Sequence, residues 1–327
     1  MKLRVLLLAM VVMVASAAAS STAAPMVAQD LLNQGRVDDA VVQLQERIQK
    51  NPNDAEAHHL LSRAYLMTES WDKAVPPAER AVNLQPDNSN YHLWLGRAYG
   101  RKAEHSIFFK AIGWARKCRA EFERAVELNA ANVPARSDLA EYYLEAPSFL
   151  GGGKDKAQAQ ADEIAPRDKA AAHMVRARVA EDAKDYGTAE RELREAIGQS
   201  NEPAGYWLDL AAFYRRRDRL NDMENATNKA VAADKEKDSA ILVQAAALLL
   251  RAGRNFSGAA LLARKALSSP ASADGAPSFQ THYLLGQALE KQGDNPGAER
   301  EYRAALSLAR DYKQAQRALK RIQDQQN

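Results

Sequence analysis

Residues 90–100 read NYHLWLGRAYG, and the order of Leu95, Gly96 and Tyr99 within that stretch decides how the whole chain is read. His58, Leu61, Ser62 and Tyr65 stand in the same order 34 positions earlier. Trp207, Leu210, Ala211 and Tyr214 repeat the spacing, and so do His282, Leu285, Gly286 and Leu289. A pattern that returns at a fixed period of about 34 residues marks a row of stacked supersecondary units. That evidence takes precedence over a domain count drawn from a length of 327 residues.

The surrounding sequence reads as helix pairs throughout, with no strand alternation and with turns marked by Gly, Asn, Asp and Pro. Residues 55–88 are the cleanest unit, carrying Tyr65, Trp71, Ala74, Ala78, Ala81 and Pro86. The chain therefore resembles the tetratricopeptide repeat, whose first helix reads W-x2-L-G-x2-Y. The resemblance implies an all-α, right-handed α-solenoid of about eight helix pairs, A and B, with a C-terminal capping helix. Its units fall near 25–54, 55–88, 89–132, 133–169, 170–203, 204–237, 240–273 and 279–312, with the cap at 313–327. In the cap, Ala315, Ala318, Leu319 and Ile322 share one face and the remainder is polar, as the last repeat of a stack requires.

Two units run long. Repeat three holds extra residues within 101–117, RKAEHSIFFKAIGWARK, which contains no strong breaker, so both of its helices are expected to lengthen by more than a turn. Repeat four holds an insertion at 146–157 with the run Gly151-Gly152-Gly153, which reads as a flexible loop. The stretch LAEYYLEAPSFLGGGKDKA also resembles a pattern of exported bacterial repeat proteins. The seventh unit ends in SSPASADGAP, a small-residue linker.

Residues 1–24 begin with Lys2 and Arg4, pass through LLLAMVVMVA and end in small residues. Charged start, short apolar middle and A-x-A exit are the parts of a cleaved signal peptide. The run is shorter than a bilayer span and no cysteine stands near the exit, so neither a transmembrane anchor nor a lipid anchor is expected. The mature protein is expected in a bacterial periplasm or outside the cell.

Hydrophobic and charged fractions of 46% and 27% suit a folded chain. Of 45 lysines and arginines, Lys2 and Arg4 leave with the signal, so 43 basic residues face 42 acidic ones. A nucleic-acid partner is not expected from so even a balance. Cys118 is the only cysteine, which excludes an internal disulfide and a cysteine-based zinc site. It reads as a small buried hydrophobe or as a reactive thiol, and burial is the commoner fate.

No cofactor, metal or catalytic set emerges. Gly151 to Lys154 lacks the glycine and hydroxyl residue that a phosphate loop needs at Ser148 and Asp155. His58, His92, His173 and His282 all fill one helix A position, which indicates packing, since ligands on successive helices cannot share an ion at bonds of roughly 2 Å. Arg215, Arg216, Arg217 and Arg219 crowd the end of a helix A, where they complement its dipole.

In the resembled family helix A lines the concave face. Counting from each repeat start puts Arg63, Arg97 and Arg178 at one equivalent position there, with Glu141 breaking the row and Arg101 and Arg215 a turn further on. Arginine grips carboxylates bidentately, so this row is the candidate site for a protein or peptide partner. His59 and Arg63 do not match the lysine and asparagine of the family's carboxylate clamp. Phe108, Phe109 and Trp114 on the repeat-three hairpin form a second candidate, as an interface patch or as packing between the lengthened helices. The expected function is a non-catalytic interaction scaffold of the bacterial envelope. The alternatives are saccharide binding in polysaccharide export and an envelope enzyme using Cys118.

Overall fold

A computed structural model describes residues 27–234, 239–269 and 277–326. The signal at 1–24, Pro25 and most of the linker after repeat seven lie outside the described residues. Among the described residues the protein is all-α: seventeen α-helices and one 3-10 turn, with no strand. Repeat one is α1 (Ala28–Asn33) and α2 (Val37–Lys50), repeat two α3 (Ala55–Met67) and α4 (Trp71–Leu84), repeat three α5 (Ser89–Glu104) and α6 (Phe108–Leu128). Repeat four is α7 (Val133–Glu145) and α8 (Lys154–Ile164), repeat five α9 (Lys169–Asp182) and α10 (Tyr186–Gln199), repeat six α11 (Ala204–Arg216) and α12 (Leu220–Ala233). Repeat seven is α13 (Ser239–Arg251) and α14 (Phe256–Ser268), repeat eight α15 (Ser278–Lys291) and α16 (Asn295–Leu308), and α17 (Lys313–Gln326) follows.

The hairpins are set by local signals. Asp54, Asn132 and Asp168 each accept a hydrogen bond from the backbone N–H three residues on and so start their helices. At the turn from A to B, Gly35, Glu69, Lys184, Asp218, Gly253 and Gly293 all take positive φ. The residue after each donates its N–H to a carbonyl five positions back, for example Ser70 to Tyr65 and Asp185 to Ala180, both at 2.9 Å. That left-handed C-terminal cap recurs in six repeats and reverses the chain within three or four residues. Repeat three lacks it, and in repeat four it follows the 3-10 turn instead of helix A, with Gly151 at φ 92° and Gly152 donating to the Pro147 carbonyl at 3.2 Å; these are the two repeats that carry insertions.

Small residues let A and B cross closely. A Cβ on Gly96 would stand 2.5 Å from the Phe122 ring, and one on Gly286 would stand 2.5 Å from the Tyr302 ring. Alanines supply most of the other crossings, with Ala64, Ala98, Ala125, Ala189 and Ala298 fully buried. Tyrosine hydroxyls also tie several B helices to the A helix that follows. Tyr99 donates to Glu79 at 2.6 Å and Tyr143 to Glu123 at 3.0 Å, while Gln45 donates to the Tyr65 hydroxyl at 3.4 Å.

The two insertions differ from their sequence expectation. In repeat three the extension is unequal: α5 has 16 residues and α6 has 21, against 13 and 14 in repeat two, so α6 takes two turns and α5 less than one. In repeat four the glycine run belongs to a compact, anchored loop. Leu150 of the 3-10 turn is buried, and its carbonyl accepts from Arg119 and from the Tyr142 hydroxyl, each at 3.0 Å. Gly153 donates to the Tyr143 carbonyl at 2.8 Å, and Gly152 lies so close to the Ala146 carbonyl oxygen that no side chain fits. Glycine serves close approach here.

The curved stack closes on itself. Leu31, Leu32, Val37 and Ala40 of repeat one share a buried apolar cluster with Phe279, Ala305, Ala309, Tyr312 and Ala315 from the other end of the chain. The seam is charged at its edges. Arg310 meets Asp38 at 3.0 Å, Lys73 meets Asp311 at 3.0 Å, and Gln314 donates to Glu69. Helix α17 therefore does more than cap repeat eight. Its Ala318 and Ile322 cover the core of the later repeats, while Ala315 and the preceding Tyr312 belong to the seam. Arg321 holds the helix down with a paired contact to Glu290, at 3.0 and 2.8 Å.

Candidate partner-binding surfaces

Helix A lines the inner side of the curve. The pairs α1 and α3, α3 and α5, α7 and α9, α11 and α13, and α13 and α15 touch, whereas B helices of consecutive repeats lie farther apart. In a curved stack the closer helices are on the concave side.

On that side Trp94 is the most conspicuous side chain. It is half-buried on α5, with the guanidinium of Arg63 from the previous repeat 4.7 Å and that of Arg97 4.6 Å from its ring centre. His59 stands edge-on to it at 5.9 Å. Burial, with the Arg63 charge beside it, pushes the His59 pKa down to about 3, so its imidazole is neutral. Arg63 also donates to Gln29 at 3.1 Å, and Arg97 donates to Asp138 of the next repeat at 2.6 Å.

The arginine row is thus interleaved with carboxylates. Arg178 lies 3.5 Å from Glu141, the residue that breaks the row in repeat four. Burial raises the Glu145 pKa, with Glu141 and Glu104 adding to the shift. Asp209 on α11 is pushed up to about 6, chiefly by burial, against the opposing pull of Arg178 and Arg216. Trp94, Asp138 and Asp209 occupy one equivalent position in repeats three, four and six.

The other candidates separate. Arg101 is exposed and pairs with Glu104 at 2.9 Å. Arg215 is half-buried, with its Nε buried and unbonded among the described residues. Its neighbours in the run act structurally: Arg216 grips Glu181 through two bonds of 2.7 Å, Arg217 lies 3.8 Å over Tyr186, and Arg219 reaches Glu190 at 2.6 Å. On the hairpin, Phe108 and Phe109 are exposed, but Trp114 is not part of the same patch. It stacks on Tyr99 at 5.5 Å and packs against the core of repeats three and four. The aromatic triplet read from sequence divides because residues 108 and 109 sit at the turn while residue 114 has moved inside between the helices.

The reused histidines make a repeated internal bridge. His92, His173 and His282 on A helices contact Glu121, Glu192 and Glu301 on the B helices of their own repeats at 2.6, 2.7 and 2.7 Å. Among the described residues no three metal-ligating side chains converge. Cys118 is buried beside Gly100, and burial pushes its thiol up to about 12. A reactive thiol needs an exposed sulfur with a lowered pKa, the opposite of this environment.

Known proteins match the same pattern. A family model described as Tetratricopeptide repeat matches residues 31–98, and a second of the same description matches residues 279–312. The chain is a tetratricopeptide-repeat protein. Yeast Tom70 is similar in structure at 19% identity and a TM-score of 0.55, over 89% of this tetratricopeptide-repeat chain and 59% of that one. At that identity the likeness concerns the fold alone. A thermophilic tetratricopeptide-repeat protein of Thermus thermophilus aligns over 57% of this chain and 94% of its own at 19% identity and a TM-score of 0.48. A tetratricopeptide-repeat protein of Parabacteroides merdae aligns over 86% and 98% at 16% identity and 0.43. No curated protein matches the sequence.

Proposed function

We propose that this tetratricopeptide-repeat protein is an exported, non-catalytic scaffold of the bacterial envelope that holds a protein or peptide segment against its inner face. Repeats of this kind indicate protein–protein interaction. The export reading rests on the charge, apolar run and small-residue exit of residues 1–24.

The observation that carries the binding reading is the half-buried Trp94 with Arg63 and Arg97 at its ring, next to Asp138 on the following repeat. A partly exposed tryptophan among arginines supplies apolar area, cation–π contact and bidentate donors within one patch, the composition of interface hot spots. Arg178 and Glu141 continue the mixed charge along the same face. Such a lining selects a segment by its order of charges more than by its net charge.

Partners captured from a periplasmic extract by the wild-type protein provide the test. Trp94→Ala and the pair Arg97→Glu with Arg178→Glu should weaken the capture of one partner by about tenfold or more. Circular dichroism should remain that of the parent. Retention of the partner by both variants removes the inner face from the proposal.

A further inference from the structure

Apolar surface is most exposed at the tip of the repeat-three hairpin. Ile107, Phe108 and Phe109 are consecutive and 69%, 67% and 83% exposed. The two phenyl rings stand edge-to-face at 5.7 Å, so they form one wedge. Three large uncovered apolar side chains in a row indicate an interaction site. The wedge stands at the start of α6, which at 21 residues is the longest helix among the described residues.

Two uncompensated cations stand behind the wedge. Of the six lysines and arginines between residues 101 and 119, Arg101 pairs with Glu104, Lys102 with Asp72, Lys117 with Glu79 and Arg119 with Glu123, which leaves Lys110 and Arg116. Lys110 and Arg116 are exposed, and neither forms an ion pair among the described residues. Phe109 and Arg116 are seven residues apart and so share one face of α6, with the charge about 10 Å along the axis from the ring. Lys110 adjoins the wedge directly, and its long stem lets the ammonium reach toward water while the rings stay apolar. Helix α6 also begins without a capping side chain or an acid in its first turn, so the positive end of its dipole faces the same side.

An occupant must therefore be apolar at the tip and anionic roughly 5–10 Å behind it, which is the layering of a bilayer surface from acyl boundary to phosphate. A protein partner would need an apolar pocket ringed by acids at that same depth. We infer that the hairpin tip docks on an anionic lipid surface, with Phe108 and Phe109 entering the acyl boundary and Lys110 and Arg116 meeting headgroup phosphates. No helix among the described residues is long and apolar enough to cross a membrane, so the wedge attaches the protein peripherally.

Co-sedimentation of the chain from residue 25 onward, which contains every described helix, tests this. Vesicles of phosphatidylglycerol and phosphatidylethanolamine should retain the protein, and phosphatidylcholine vesicles should not. Phe108→Ser with Phe109→Ser should lower the partition by about tenfold or more. Lys110→Glu with Arg116→Glu should lower it comparably, and added salt should weaken the wild type. All four positions are exposed, so the variants should keep the parent thermal transition. Failure to bind the anionic vesicles, or unchanged binding by the phenylalanine variant, overturns the inference. So does light scattering that shows a wild-type dimer and a monomeric phenylalanine variant, because a second copy would then cover the wedge.

Discussion

At the scale of single residues the inner face is held in mild conflict. Asp209 is an enclosed carboxylate whose pKa is pushed up to about 6, above the ordinary value of 3.8. A folded-state pKa above the unfolded one means that the folded state binds the extra proton, so stability falls as pH rises from about 4 to 6 and stays lower above that range. Asp209→Asn should therefore stabilise the protein by about 1–2 kcal/mol in urea at pH 7.5, with the difference vanishing toward pH 4. A variant that loses stability at pH 7.5 would show instead that the carboxylate is held by Arg178 and Arg216. The positions of Arg63, Arg97 and Arg178 could be read in sequence because repeat-equivalent counting finds them. The same counting reaches Trp94, Asp138 and Asp209, which share one position, but none belongs to the repeat motif, and only the stacking of the repeats brings Trp94 to Arg63, Asp138 to Arg97 and Asp209 near Arg178.

Elements were legible where residue type and geometry agree. Gly35, Gly253 and Gly293 signal the turn between A and B, because glycine takes positive φ freely. Glu69, Lys184 and Asp218 adopt the same conformation against their preference, so the hairpin geometry overrides the local cost. Lys184→Gly, with φ at 63°, should accordingly stabilise the protein by about 0.5–1 kcal/mol in a thermal or denaturant scan. A loss of stability would mean that the Lys184 side chain contributes more than its strain. The length of α6 and the anchored loop of repeat four escaped the sequence for one reason. Period alone shows that residues have been added, and it does not show which helix takes them or that Arg119 and Tyr142 converge on the Leu150 carbonyl.

For the whole molecule the repeat period announced a stack, and it was silent on closure. Each hairpin sets only its own small rotation, and whether eight of them bring the ends together depends on their sum. Val37, Phe279 and Tyr312 look in sequence like apolar residues of terminal repeats, yet they share one buried cluster. Closure also gives repeat one, whose α1 has only six residues, a second partner that an open solenoid would not provide. A short first helix buries too little apolar area to hold a terminal repeat alone. The most direct test of closure is an intramolecular distance between spin labels on exposed Val42 of α2 and Ser307 of α16, in a protein with Cys118→Ser. Closure predicts one narrow population at helix-neighbour range, on the order of 20 Å; a broad population centred well beyond that would contradict it and return the protein to an open solenoid.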